Sequence, residues 1–304
     1  MINVNYQFIL HFIVSFIVLI RSTSDEDLSE YGVTPGVSRT SCPCGRLNKN
    51  QARIVGGDEV ERNEFPFMVG IRTQRSPFVF CGGTIISAHH VLTAAHCTEP
   101  KRSEKLAVTV GDHNIYDPQD TQTAAVLSVK EIIEHELYDK RGDVENDIAL
   151  LVTEKIGFNP FVEPACMPKE KINLEGQSVK VIGWGKLSPK GPYSEVLHKV
   201  NLKVVPLAVC DNYFYGIDIR NPNQMCTLAT KADSCQGDSG GPVLWRDPQT
   251  NRYVLVGIVS FGDHCGREDA PTVNTDVYFH RDWIEQKIAG TILIIYYTLL
   301  SEVM

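Results

Sequence analysis

The stretch Asp233-Ser-Cys-Gln-Gly-Asp-Ser239-Gly-Gly-Pro242 decides the fold once it is read with two others, Leu92-Thr-Ala-Ala-His96-Cys97 and Asn146-Asp147-Ile-Ala-Leu-Leu151. A serine hydroxyl is a poor nucleophile at neutral pH and needs a base to take its proton as it attacks. Imidazole has a suitable pKa, and a carboxylate on its far nitrogen fixes the tautomer and stabilises the imidazolium. The three stretches supply one of each group in Ser239, His96 and Asp147. Singly each is ordinary: a histidine beside a cysteine is more often structural, and an aspartate ahead of an apolar run often caps a turn.

Gly237, Ser239 and Gly241 also satisfy the G-x-S-x-G pattern of a strand-to-helix nucleophile elbow. That fold takes its residues in the order serine, acid, histidine. It would force the choice of His264 or His280 and needs helices alternating with the strands, for which the sequence leaves no room. The flanking sequence is instead strand-rich. Phe67–Ile71, Ala107–Val110, Ser178–Ile182 and Tyr253–Val259 are short β-prone runs bounded by Gly, Pro, Asp or Asn. Only Asp282–Ile288 reads as helix, with Trp283, Ile284 and Ile288 on one face. Many short strands predict an all-β sandwich or barrel architecture.

Further outward, Phe8–Ile20 is an apolar block of signal-peptide length followed by small residues at Ser22-Thr23-Ser24, so residues 1–22 are expected to be a signal peptide. Residues 23–53 are polar and broken by Gly and Pro and read as a pro-segment, and 290–304 form an apolar C-terminal tail with no assigned role, too short for a membrane span. With 37 acidic and 29 basic side chains the net charge is −8, which argues against nucleic acid or an anionic membrane surface as partner. The 43 % apolar content of the 304 residues excludes intrinsic disorder. Nine cysteines fit an oxidising, extracellular compartment better than the cytosol.

Arg53-Ile-Val-Gly-Gly57, Cys81-Gly-Gly-Thr-Ile-Ile-Ser87, Thr93-Ala-Ala-His-Cys97, Asp147-Ile-Ala-Leu-Leu151, Gly183-Trp-Gly185, Gly237-Asp-Ser-Gly-Gly-Pro242 and Val259-Ser-Phe-Gly262 occur in this order. Together they make residues 54–289 resemble a trypsin-like (chymotrypsin-fold) serine protease, of the secreted zymogen type found among arthropod extracellular proteases. The resemblance implies two packed six-stranded antiparallel β-barrels with the site between them, and a short C-terminal helix starting near Phe279. It implies Ser239 as nucleophile, His96 as general acid and base, Asp147 as orienting carboxylate, and the N–H groups of Gly237 and Ser239 as oxyanion hole. Ser260, Phe261 and Gly262 would pair an extended substrate as an added strand.

The same resemblance makes Arg53-Ile54 an activation junction, whose cleavage would create an ammonium at Ile54 to pair with the carboxylate of Asp238. Since a free α-amino group titrates near pH 8 and the pair should raise that value, activity is expected to decay in alkali. It implies disulfides Cys81-Cys97, Cys210-Cys226, Cys235-Cys265 and Cys44-Cys166; Cys42 is left over, exchanges with Cys44, or bonds a second protein. Asp233, with Ser234 beside it, would lie at the base of the primary pocket and select Arg or Lys, because a buried carboxylate needs a cationic partner. Thr272, where the family usually has Gly, would add bulk to a wall of that pocket, slowing turnover, restricting the substrates or changing the way Asp233 is reached, and Phe261 stands where Trp is common. No cofactor is expected, and no calcium, since Asp112–Gln122 lacks the matched Glu pair. Expected partners are protein substrates, an activating protease and macromolecular protease inhibitors. The alternative is a catalytically weak or silent protease-fold binding or regulatory module.

Overall fold

The computed structural model describes residues 43–48, 58–117, 120–140, 144–186, 191–214, 216–220, 223–229, 238–262 and 270–303. The candidate signal peptide, Cys42, Arg53, Ile54, Asp233, Ser234, Gly237 and the Cys235-Cys265 pair lie outside the described residues.

The architecture belongs to one unit, Ser41–Asp247 with Arg252–Met304. Its first half supplies six strands: β2 (Met68–Thr73), β3 (Val79–Ser87), β4 (His90–Thr93), β5 (Leu106–Val110), β6 (Ala125–Glu134) and β7 (Ala149–Thr153). They close as an antiparallel barrel in the order β2-β3-β4-β7-β6-β5. Every residue of β4, β5 and β7 is buried, and Phe67, Ile71, Ile85, Leu92, Leu106, Leu150 and Leu151 form the centre. Strands so short and so apolar cannot stand as a free sheet with a wet face. Closure hides both the apolar side chains and the sheet edges.

The second half repeats the solution with β8 (Ser178–Gly183), β9 (His198–Val205), β10 (Gln224–Ala229), β11 (Pro242–Asp247), β12 (Arg252–Gly262) and β13 (Pro271–Asp276). The run β9-β10-β13-β12-β11-β8 is closed by pairing of β8 with β9, and β1 (Asp58–Glu59) adds to β9. Its core is mainly valine, with Leu202 and Met225. Two closed six-stranded antiparallel barrels are what the resemblance implied.

Three disulfides and two short helices among the described residues complete the frame. Cys81–Cys97 and Cys210–Cys226 each close a loop of sequence separation 16, worth roughly 3 kcal/mol apiece by loss of unfolded-chain entropy. Cys44–Cys166 spans 122 residues and ties the 43–48 segment to the body, where Gly45 also exchanges backbone hydrogen bonds with Pro164 and Tyr253. Helix α1 (Ala95–Thr98) follows β4 directly, and α2 (Leu207–Asp211) carries Cys210.

Helix α3 runs from Arg281 to Val303, through the apolar stretch that composition alone set apart from the helix. Ile284 is buried, Trp283 Nε1 donates to Glu136 at 2.9 Å, and Lys287 pairs with the same carboxylate. Thr291 Oγ1 meets the buried His90 ring at 2.6 Å, so docking on the first barrel persists at least to Thr291. Among the described residues no helix is long and apolar enough to cross a membrane.

Candidate active site

The first barrel delivers His96 and Asp147 together. His96 sits in α1, held by Cys97, and Asp147 immediately precedes Ile148 and β7, which pairs with β4. One Asp147 oxygen, Oδ1, accepts the main-chain N–H of His96 at 2.9 Å, and the other, Oδ2, lies 2.7 Å from His96 Nδ1. Only 1 % of the Asp147 side chain is exposed, against 29 % for His96. An imidazole held this way carries its proton on Nδ1 and keeps the Nε2 lone pair as a base, with Nε2 3.7 Å from Cys97 Sγ.

The second barrel completes the carboxylate's surroundings. Ser260 Oγ donates to Asp147 Oδ2 at 2.5 Å, and Thr275 Oγ1 donates to the Asp147 carbonyl at 2.7 Å. The Ser260 contact depends on a break in register: Val259 pairs with Asn274 and Phe261 with Val273, so Ser260 is the extra residue of a bulge. A bulge bends a strand and re-aims one side chain. Here it turns a hydroxyl across the cleft onto the other barrel's buried carboxylate.

Ser239 is brought to the same place by backbone contacts. Its carbonyl accepts the N–H of Gly82 at 2.8 Å, and Gly240 N–H donates to Val259 O at 2.8 Å. Gly240 has φ +75°, and a Cβ there would fall 2.2 Å from Thr93 Oγ1 and 3.1 Å from Cys97 Sγ. Gly82 is equally confined, since its Cβ would lie 2.8 Å from the Gly241 Cα. The residue after Ser239 therefore rests against the bridge that anchors His96. Just before Ser239, Asp238 Oδ1 accepts the N–H of Gly185 at 3.0 Å.

Beyond this cluster, Phe261 packs edge to face on Phe214, with centroids 5.4 Å apart. Gly262 pairs with Thr272, and a Cβ on Gly262 would lie 3.2 Å from Thr272 Oγ1. Beneath it Asn274 Nδ2 donates to Thr227 Oγ1 at 2.9 Å, both residues being fully buried.

Thr275, Phe214, Thr227 and Asn274 carry no motif of their own. Thr275, Thr227 and Asn274 become part of the site through strand register, and Phe214, in the turn after α2, through its ring contact with Phe261, signals absent from the local sequence. Potential metal-binding atoms of Cys81, His96 and Cys97 lie within 4.8 Å of one another, but the two sulfurs are bonded together and offer no thiolate. A cavity of about 600 Å³, lined by residues such as Arg102, Lys105, Lys130 and Glu134, shares no residue with this cluster.

Comparison with known proteins identifies the family. The family model described as Trypsin matches residues 54–284. Venom serine protease 34 of Apis mellifera is 43 % identical over 251 residues, covering 81 % of this chain and 60 % of the bee protein. A venom serine protease of Polistes dominula is 40 % identical, covering 82 % of this chain and 90 % of its own length. The proclotting enzyme of Tachypleus tridentatus is 31 % identical, over 80 % of this chain and 68 % of its own. Fold, residue cluster and similarity together place the chain in the trypsin family of serine proteases.

Proposed function

We propose that this chain is a secreted serine endopeptidase, made as a zymogen, that cleaves proteins after Arg or Lys through an acyl-enzyme. The observation that carries the reading is the Asp147 carboxylate: three donors from two barrels converge on it, two of them from His96. Such an arrangement costs buried charge and has a use if the imidazole must hold one tautomer and then become a cation.

In this mechanism Ser239 Oγ attacks the scissile carbonyl carbon while His96 Nε2 takes its proton. The oxygen of the tetrahedral intermediate is met by the N–H groups of Gly237 and Ser239, donors aimed where charge develops. The C–N bond then breaks, His96 gives its proton to the leaving amine, and a water molecule repeats the sequence to release the acid. Asp233 would hold the cationic side chain before the cleaved bond, with Thr272 restricting the range of substrates.

Activation would follow cleavage at Arg53-Ile54, the new ammonium pairing with Asp238 and ordering the oxyanion loop. The Cys44–Cys166 bond supports this scheme, because a segment cut at residue 53 would remain tethered. Extracellular action is supported by the Phe8–Ile20 block, by three disulfides among the described residues, and by relatives named as venom proteases and a proclotting enzyme. An activating protease and macromolecular inhibitors are the matching partners.

The test is treatment of the processed protein with an aryl organophosphonate bearing a cationic side chain. A covalent adduct on Ser239, absent from Arg53→Gln, is expected. A folded, processed protein that forms no adduct would favour a silent binding module, and full activity of Arg53→Gln without any other cut would refute the activation scheme.

A further inference from the structure

The outer edge of β12 at Phe261–Gly262 is not covered by β11, whose pairing with β12 ends at Ile258. On the reading above, an extended substrate lies along that edge up to Ser239, and the chain beyond the cleaved bond passes the other segments tied to Ser239. Two such segments are in place. One is Phe78–Phe80, which leads through Cys81 to Gly82, the residue bonded to the Ser239 carbonyl. The other follows Gly185, whose N–H holds Asp238, and consists of Lys186 bridged in antiparallel register to Tyr193.

These segments meet. The Phe78 and Tyr193 rings stand edge to face with centroids 5.2 Å apart at 83°, and Phe78 keeps 37 % of its surface exposed. Lys186 Nζ lies 5.3 Å from the Tyr193 ring centre. Among the described residues no carboxylate pairs with it. The second lysine on this side, Lys101, lies 5.8 Å over the Phe80 ring but is already bound to Glu104 at 2.7 Å. A tyrosine face orients an ammonium without neutralising it. Lys186 is therefore a positioned, unspent positive charge on a protein of net charge −8, next to an exposed aromatic edge.

The geometry points to a charge preference on the leaving side of the cleavage site: this enzyme favours protein substrates with an acidic residue at the second position after the cleaved bond, and disfavours basic ones there. The carboxylate would pair with Lys186 Nζ while the methylene groups of the same side chain rest on the Phe78–Tyr193 edge. This preference rests on the peptidase reading but is separable from it by experiment.

The test uses the processed full-length enzyme and two peptides identical except for the second residue after an Arg-Ser bond, Glu in one and Lys in the other. A half-exposed ion pair of this kind supports about fivefold faster cleavage of the Glu peptide in kcat/KM at low salt. The ratio should shrink toward one in 1 M salt, where charges are screened within about 3 Å. In Lys186→Glu the ratio should invert, and in Lys186→Gln it should fall between. Because each ratio is taken within one enzyme, a general loss of activity in a variant does not disturb it. Equal cleavage of both peptides by the parent, or a Glu preference unchanged in Lys186→Glu, would overturn the preference while leaving the peptidase reading intact. Cleavage of neither peptide would bring down both.

Discussion

Replacing Asp147 with Asn tests the site at its most constrained atoms. Oδ1 accepts from the His96 main-chain N–H, while Oδ2 faces Nδ1 at 2.7 Å and Ser260 Oγ at 2.5 Å. A carboxylate accepts at both oxygens, but an amide has one accepting and one donating end. The main-chain N–H of His96 cannot reverse, so the amide oxygen must take the Oδ1 position and its NH₂ group the Oδ2 position. That NH₂ then donates to Nδ1, the ring proton moves to Nε2, and no lone pair remains to receive the proton of Ser239. Reversal of the tautomer in triads of this type lowers kcat by about 10⁴, or roughly 5 kcal/mol of barrier. The fold should survive, because Ser260 Oγ can accept as well as donate and a buried charge is removed rather than stranded. The assay is kcat at pH 7.5 on an arginine anilide together with a thermal melt. A variant that melts near the parent yet retains more than a tenth of its kcat would show that Asp147 does not orient His96 for catalysis.

Ser260→Ala removes one charge-assisted hydrogen bond to the same carboxylate, worth about 1.5–3 kcal/mol, and should lower kcat about tenfold or more with little change in KM. Gly240→Ala places a methyl group 2.2 Å from Thr93 Oγ1 at φ +75°, so soluble yield and melting temperature should both drop, and a Tm within 2 °C of the parent would contradict the packing described. Burial, then the charge of Asp120, push the Asp112 carboxyl up to about 7. The folded state thus holds a proton that the unfolded chain releases from about pH 4 upward, and the stability this contributes is lost as pH rises through 7; Asp112→Asn should gain about 1 kcal/mol at pH 8, after allowance for partial exposure, and none at pH 4. Burial, reinforced by His135, outweighs the Asp276 carbonyl and lowers His280 to about 4, so between pH 6.5 and 4 the unfolded chain takes up a proton that the fold refuses. His280→Gln should flatten the fall in unfolding free energy, read from urea melts, between pH 7 and pH 5, by up to about 2 kcal/mol.

Several links in the site were legible before any coordinates. The Ala-Ala-His-Cys stretch specifies the turn that presents His96, because Cys97 fastens it to Cys81 and the small alanines are buried beside it. The Ser239-Gly-Gly run likewise states its own backbone requirement, since Gly240 adopts a conformation that side chains resist and Gly241 meets Gly82 closely. The helix was only half legible. Asp282–Ile288 shows a helical face, but the continuation to Val303 is rich in β-branched and aromatic residues and lacks a clear apolar side. Its docking contact, Thr291 on His90, joins residues 201 apart and has no local signature.

By itself the sequence determined which chemical groups are available and how each is locally held: a histidine beside a cysteine, an aspartate entering a buried strand, a serine among glycines. Those are properties of neighbouring residues, governed by backbone sterics and short-range bonding. Only the tertiary structure decided that Ser260 and Thr275 of the second barrel grip Asp147 of the first, across separations of 113 and 128 residues. That outcome depends on barrel closure, on strand register and on one extra residue in β12, where a shift of a single position would turn the hydroxyl to the opposite face of the sheet.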